Sequence, residues 1–374
     1  YHHQNLKMQL KEVLSLYLLG VSLVFAHPGH EEKRASNELL AFKAHVRRGL
    51  SLCTRSFDES GLSARAIARR AKLASEYRRR KLAVRDTDDV LNTSHLSSAD
   101  YTTSTDEREI FSSTGTCVLN PEGETGPFWV SGELIRSDII ENQAGVPVVL
   151  DIQFVDVSTC QAVEGLYIDT WSCNATGVYS GVSGNGNGNS ADTSILDETF
   201  LRGIAKTDSD GVVSFNTLFP GHYSGRTTHH HIIAHLNATL LPNNTLTGGT
   251  VPHIGQLFWD QSLIDEVEAT SPYSTNTVAQ TTNAEDRVFS DETSGTTSDP
   301  VFNYVRLGDS VEDGLLGWVT VAVDLTATYT PNYSFVYTSS GSEAVSGNSG
   351  SSGSAPGSSG SAPSGGMGGG PGGF

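Results

Sequence analysis

The chain has 374 residues, of which 37% are hydrophobic, 8% aromatic and 18% charged. That is enough apolar material for one well-formed core, or at most two. Its formal charge of -18, from 24 Lys+Arg against 42 Asp+Glu, argues against a general binder of nucleic acid or anionic membrane, which needs the opposite sign. The charge is unevenly placed, since residues 31–86 carry 15 basic and 7 acidic side chains whereas residues 87–374 carry 7 basic and 34 acidic ones. The chain therefore reads as a basic arm joined to an acidic body.

Residues 1–26 are expected to comprise a short upstream stretch and a secretory signal peptide: Met8 and Lys11 precede an apolar run from Val13 to Phe25 that closes on Ala26. No segment approaches the roughly 20 apolar residues of a spanning helix. Residues 27–34 end in the dibasic pair Lys33-Arg34, which places the mature start at His27 or Ala35. Five glycosylation sequons, at Asn92, Asn174, Asn237, Asn243 and Asn332, agree with a secreted, extracellular protein. Four cysteines, Cys53, Cys117, Cys160 and Cys173, in an oxidising compartment favour two disulfides, with three connectivities open.

Residues 35–86 form the basic arm. Leu39, Phe42, Val46 and Leu50 recur at helical spacing over 36–53; Ile67, Ala71, Ala74 and Tyr77 do so over 63–84, with Ser63 as N-cap and arginines crowding the opposite face. A helical hairpin is expected, its basic face docking on the acidic body or on a second copy as a homodimer, or simply solvated. Residues 87–116, rich in Ser, Thr and Asp, read as a linker. From 117 to 337 the pattern turns to short β-rich segments, among them 148–157, 166–171, 212–215, 229–235 and 318–325, separated by Gly, Pro and Asn. Many short strands with little helix favour a mainly β, sandwich-type catalytic domain. The Gly-Asn repeats of 182–194 read as a mobile loop, and the Ser/Gly/Pro-rich residues 338–374 as a disordered tail without a lipid-anchor signal.

Six of the twelve histidines lie between His222 and His253, and His229, His230 and His231 are consecutive. On a strand, His229 and His231 share one face while His230 points to the other, an arrangement that can hold a metal. Tyr223 lies just upstream, and Tyr179 closes the turn that begins at Cys173. No Asp or Glu lies within the cluster to complete a facial triad or a zinc-hydrolase set.

At these residues the sequence resembles the intradiol ring-cleavage dioxygenases, especially their secreted fungal branch. The resemblance runs through Thr125-Gly126-Pro127-Phe128, Gly145-Val146-Pro147, Asp169-Thr170-Trp171-Ser172-Cys173-Asn174 leading to Tyr179, Leu201-Arg202-Gly203, Thr207-Asp208-Ser209-Asp210-Gly211, and Tyr223, Arg226, His229 and His231. Their order over some 200 residues makes the match specific. The resemblance implies an intradiol-dioxygenase-like β-sandwich and a non-haem Fe(III) held by Tyr179, Tyr223, His229 and His231. Fe(III) is a hard cation that favours anionic oxygen, so tyrosine, with an ordinary pKa of about 10, would bind as phenolate. It further implies that a catechol-type diol displaces Tyr223 and reacts with O2 to a cis,cis-muconate-type diacid. Arg226 would stabilise negative charge on the reacting ring, and Gln256 would stand near that arginine. The sequence departs from the family in having His230 where an apolar residue is common, a very short segment between Tyr223 and Arg226, and a sequon at Asn174 beside the ligand turn. Two rival readings stand beside this one: a secreted β-sandwich binding or adhesion module, and a copper oxygenase that uses an amino-terminal His27. The preferred substituted catechol and the oligomeric state stay open.

Overall fold

The structure is a computed structural model, and it describes residues 53, 56–82, 116–117, 125–184, 187, 192–293, 300–333 and 335–345. The signal segment, His27, the dibasic pair, the first helix of the expected hairpin, most of the linker and the far tail lie outside them. The described elements are α1 (Leu62–Leu82), β1 (Thr116–Cys117), β2 (Val130–Ser131), β3 (Pro147–Asp156), β4 (Tyr167–Trp171), β5 (Arg202–Lys206), β6 (Val212–Leu218), β7 (His229–Leu236), β8 (Thr239–Leu240), β9 (Leu246–Thr247), β10 (Thr250–Phe258), α2 (Gln261–Glu268), α3 (Arg287–Thr293), β11 (Asn303–Arg306), β12 (Leu315–Val323), β13 (Phe335–Thr338) and β14 (Gly341–Ala344). Among the described residues, no helix is long and apolar enough to cross a membrane.

Two sheets carry the fold. One has the order β1-β12-β3-β6, with β11 also paired to β12, and its β12–β3 ladder is parallel; the other, β10-β7-β4-β5, is antiparallel throughout. The period of two in β3 turns Val148, Leu150, Ile152 and Phe154 towards Ile168, Ile232, Ala234 and Leu257 of the second sheet, and together with Val319 and Val321 they form the central core. The mainly β architecture expected from many short turn-punctuated segments is the one observed.

The other face of β3 is also buried, although half of its positions read as solvent-facing. Helix α1 accounts for this. Its residues Ile67, Ala71, Ala74 and Tyr77 pack with Val149, Leu316 and Trp318 on the outside of the first sheet, which is the apolar face given by their spacing. The helix contains no Gly or Pro, and it begins one residue before the expected cap. Asp151, fully buried on β3, accepts from Arg69 through Nε at 2.7 Å and Nη2 at 3.0 Å and from Arg70 Nε at 3.1 Å. Arg65 pairs with Asp210 at 2.8 Å. Arg65, Arg69 and Arg70 of the arm thus dock on acidic residues of the body of the same chain.

A disulfide, Cys53–Cys160, staples the arm to the body a short way ahead of α1. The second expected disulfide is not formed, because Cys173 is a buried free thiol with Sγ 3.3 Å from the carbonyl of Gly221. Burial in that apolar setting pushes the thiol up to about 12. A further difference lies at the C-terminal end: regular structure continues past residue 337, where β14 pairs with β13, which in turn pairs in parallel with β2. This small third sheet packs Phe335 and Tyr337 beside Phe128 and Trp129 over the outer face of the second sheet.

Candidate active site

The second sheet places the chemistry. Register pairs Trp171 with His231, His231 with Gln256, and His229 with Phe258, so these side chains share its outer face. His230 lies on the opposite face, against Trp259 and Phe302 at 6.0 and 5.8 Å between ring centres. Burial without a hydrogen-bond partner at Nε2 pushes its imidazole down to about 3. The strand geometry therefore separates the three adjacent histidines as the period of two requires.

Two turns bring in the tyrosines. Tyr179 ends a turn organised by Asn174, whose Oδ1 accepts from the backbone N–H of Thr176 and Val178 at 3.1 and 3.0 Å while its Nδ2 donates to Gln143. The sequon asparagine is thus part of the turn itself. Gly177 sits in the left-handed region at φ +81°, where a Cβ would lie 2.2 Å from the carbonyl of His222, so the two turns pack backbone to backbone. Asn187, from the Gly-Asn-rich stretch, is buried and clamps Tyr179: its Oδ1 accepts from the Tyr179 N–H at 2.6 Å and its Nδ2 donates to the carbonyls of Tyr179 and Val182 at 2.8 and 2.7 Å. Tyr223 and Arg226 occupy the two ends of one tight turn, with Arg226 N–H donating to Tyr223 O at 3.2 Å and Gly225 at φ +77°. The very short segment between them is that turn. His222 anchors it to α2 through Glu268 at 2.7 Å.

The four expected ligand side chains are all buried and converge. His229 Nε2 lies 3.5 Å from Tyr179 Oη, 3.4 Å from Tyr223 Oη and 3.1 Å from His231 Nε2. His229 Nδ1 is 2.6 Å from the carbonyl oxygen of Thr227; that nitrogen carries the proton, which turns the Nε2 lone pair towards the other three donors. His231 is stacked on Trp171 at 4.5 Å with the rings 5° from parallel, and Phe128 stacks on Tyr179 at 4.8 Å. Burial pushes both phenols up, a trend that Tyr223 reinforces in Tyr179 and that Arg226 opposes in Tyr223. Ionising them in place needs a cation.

The donor spacing fits one. Two ligands each about 2.1 Å from a common ion, at roughly 95–110° to one another, stand about 3.1–3.4 Å apart. Among the described residues there is no group of three or more His, Cys, Asp and Glu arranged to hold a metal, so a metal centre here depends on phenol oxygens as well as imidazoles. That combination suits a hard trivalent ion.

Arg226 is buried beside the donors, with Nη1 3.4 Å from Tyr223 Oη and 3.5 Å from His229 Nε2. Its Nη2 donates to Gln256 Oε1 at 2.5 Å and its Nε to Asp286 Oδ2 at 2.7 Å. Every site residue expected from the sequence is brought into this one cluster. The sequence reading missed Asp286 and Asn187. Asp286 carried the weak signal of an acidic residue opening a helix, whereas nothing local pointed Asn187 at Tyr179.

No protein-family model and no curated protein matches the chain. Solved structures do. An intradiol ring-cleavage dioxygenase from Tetranychus urticae is 32% identical, with 57% of this chain and 98% of that one covered and a TM-score of 0.48. A second solved dioxygenase is 31% identical with the same coverage and a TM-score of 0.47. At 21% identity, the dioxygenase domain of a carbohydrate-binding fusion protein from a cellulolytic Streptomyces covers 53% of this chain and 94% of its own, with a TM-score of 0.34. Since the match at 32% identity extends over nearly the whole length of the mite enzyme, this chain belongs to the family of intradiol ring-cleavage dioxygenases.

Proposed function

We propose that the protein is a secreted non-haem Fe(III) enzyme that cleaves catechol-type diols with O2, between the two hydroxyl-bearing carbons, to cis,cis-muconate-type diacids. The observation that carries the assignment is the convergence of two phenols and two imidazoles on one buried point, with a guanidinium edge beside it. Tyr179, Tyr223, His229 and His231 hold the metal. Ferric iron, when bound, supplies a Lewis-acidic centre that binds the diol through its oxygens and activates the ring towards O2.

The residues of the chain do the rest. Tyr223, on its tight turn, is the donor that gives way to substrate, and its Oη takes up a proton from a catechol hydroxyl. His229 and His231 stay in place on β7. Arg226 directs Nη1 at the reacting ring, where it stabilises the negative charge that develops as the ring is attacked, and Gln256 steadies Nη2 from the neighbouring strand. Phe128, Trp171 and Tyr179 keep bulk water from the reacting atoms by burial. Secretion is supported by the Cys53–Cys160 disulfide, which belongs to a non-reducing compartment, and by the exposed sequon at Asn243 in the turn between β8 and β9.

Oxygen uptake against a panel of catechol, hydroxyquinol, protocatechuate and chlorinated catechols, with mass analysis of the products, tests the proposal. Ring-opened diacids are expected from at least one of them. The holoprotein should also be reddish from phenolate-to-iron charge transfer and shift on adding that substrate. A colourless preparation containing stoichiometric iron would overturn tyrosinate ligation.

A further inference from the structure

Asp286 makes contacts that its place in the chain does not advertise. It is fully buried and opens α3, where its Oδ1 accepts from the N–H of Phe289 at 2.8 Å. Its Oδ2 accepts from Arg226 Nε at 2.7 Å and from the N–H of Thr227 at 2.8 Å, and Oδ1 lies 3.4 Å from Arg226 Nη2. The same segment is tied to the same turn a second time, through Thr227 Oγ1 donating to Asn283 Oδ1 at 2.7 Å.

A guanidinium is planar, with its donors in a fixed fork. Holding two of its three nitrogens therefore fixes both its plane and its rotation within that plane. Asp286 holds Nε, Gln256 holds Nη2, and Nη1 is the edge left pointing at Tyr223 Oη and His229 Nε2. The carboxylate also balances a cation that has almost no contact with water, without which burial of Arg226 would be strongly unfavourable.

We propose that Asp286 is a positioning residue for the ring-opening reaction: it locks the guanidinium of Arg226 so that only its Nη1 edge faces the reacting atoms. The inference rests on the dioxygenase reading above and adds a residue to it. Asparagine cannot take over. Four N–H groups converge on two carboxylate oxygens, whereas an amide offers one oxygen, and its NH2 would face donors in either orientation.

The test compares Asp286→Asn, Arg226→Met and the double variant Arg226→Met/Asp286→Leu as iron-loaded full-length proteins. Asp286→Asn should lower kcat about 10- to 100-fold, in line with the cost of misplacing a reacting group by about 1 Å. Its KM, iron content and catechol-induced spectral shift should stay close to wild type. A residue that matters only for folding would not split kcat from KM in this way. The double variant should cleave within about threefold of Arg226→Met, because a carboxylate with nothing to hold contributes nothing more. That comparison decides the matter even if Asp286→Asn fails to fold, since replacing a buried pair by apolar residues is commonly tolerated.

A readout without turnover completes the set. In metal-free protein the Arg226 Nε–H should exchange slowly with solvent, be absent in Arg226→Met, and exchange at least about tenfold faster in Asp286→Asn. Wild-type kcat in Asp286→Asn, or a further tenfold loss from Arg226→Met to the double variant, overturns the inference. A wild-type protein that binds no iron and opens no catechol overturns the dioxygenase reading instead, and the exchange measurement still reports on Asp286.

Discussion

Replacing His230 by isoleucine should make the protein more stable and leave the metal centre untouched, although His230 stands between the two histidines assigned to iron. The side chain is buried against Trp259 and Phe302, and its Nε2 has no hydrogen-bond partner. A buried polar atom left unsatisfied costs about 1–3 kcal/mol. An apolar β-branched residue of similar volume removes that cost and suits a strand. A second contribution depends on pH. Burial pushes His230 down to about 3, against about 6.5 in an unfolded chain. Between those values the unfolded state binds the extra proton, so this histidine makes the protein lose stability as pH falls below about 6.5. At pH 5 the loss is about 2 kcal/mol. The isoleucine variant should therefore gain about 1 kcal/mol at pH 7.5 and about 3 kcal/mol at pH 5. Urea unfolding of metal-free protein at both pH values measures the gain without contributions from iron affinity. Alongside it, His229→Ala and His231→Ala should lose most of the bound iron, and His230→Ile should keep it. A variant less stable than wild type at both pH values would refute the burial argument, and an iron-depleted His230→Ile protein would move the ligand assignment by one residue.

Removing the carboxylate beneath the arm should be costly. Asp151→Ala leaves Arg69 and Arg70 facing a buried site without their acceptor, and a loss of about 3–5 kcal/mol is expected in denaturant unfolding, with the Cys53–Cys160 bond intact. Glu133 gives a pH dependence of the opposite sign to His230. Burial raises its carboxyl to about 8, against the pull of Arg202. The folded state thus holds a proton that the unfolded state releases above about 4.3, and stability should fall as pH rises from there towards 8. Glu133→Gln should flatten that decline, and melting temperatures measured from pH 5 to pH 9 would show it; an unchanged slope would refute it.

The central strands of the two sheets were legible because each shows its own local pattern: the alternation in β3, which builds the core, and the run of histidines in β7 that places 229 and 231 on one face. Strands β5 and β10, which flank the site on either side, carry Gly203 and the Pro252-His253 interruption, and so lack a clean period. Residues 341–344 have the composition of the tail that follows them, and they form a strand only because β13 offers an edge. The even cysteine count suggested a second bridge, whereas Cys173 is a buried free thiol. Asp286 and Asn187 show the wider limit. Each acts on a backbone or side chain brought near by the fold, and no spacing in the sequence encodes that meeting.

The four donor side chains are mounted on supports of unequal stiffness. His229 and His231 stand on β7, which is bonded to a neighbouring strand on both sides, and the ring of His231 is wedged between Trp171 and the backbone at Gly126, where a Cβ would already lie 3.4 Å from Cε1. The tyrosines stand on turns, and the Tyr223 turn is held from outside through His222 and through Asp286 on Thr227. The imidazoles, with Tyr179 clamped by Asn187, therefore make a fixed frame, and Tyr223 is the donor whose support hangs on two side-chain tethers. Evolution or engineering that alters the 220–227 turn or its two tethers should, on the function proposed above, change how readily the site admits a diol, while the two strand-borne imidazoles keep their places.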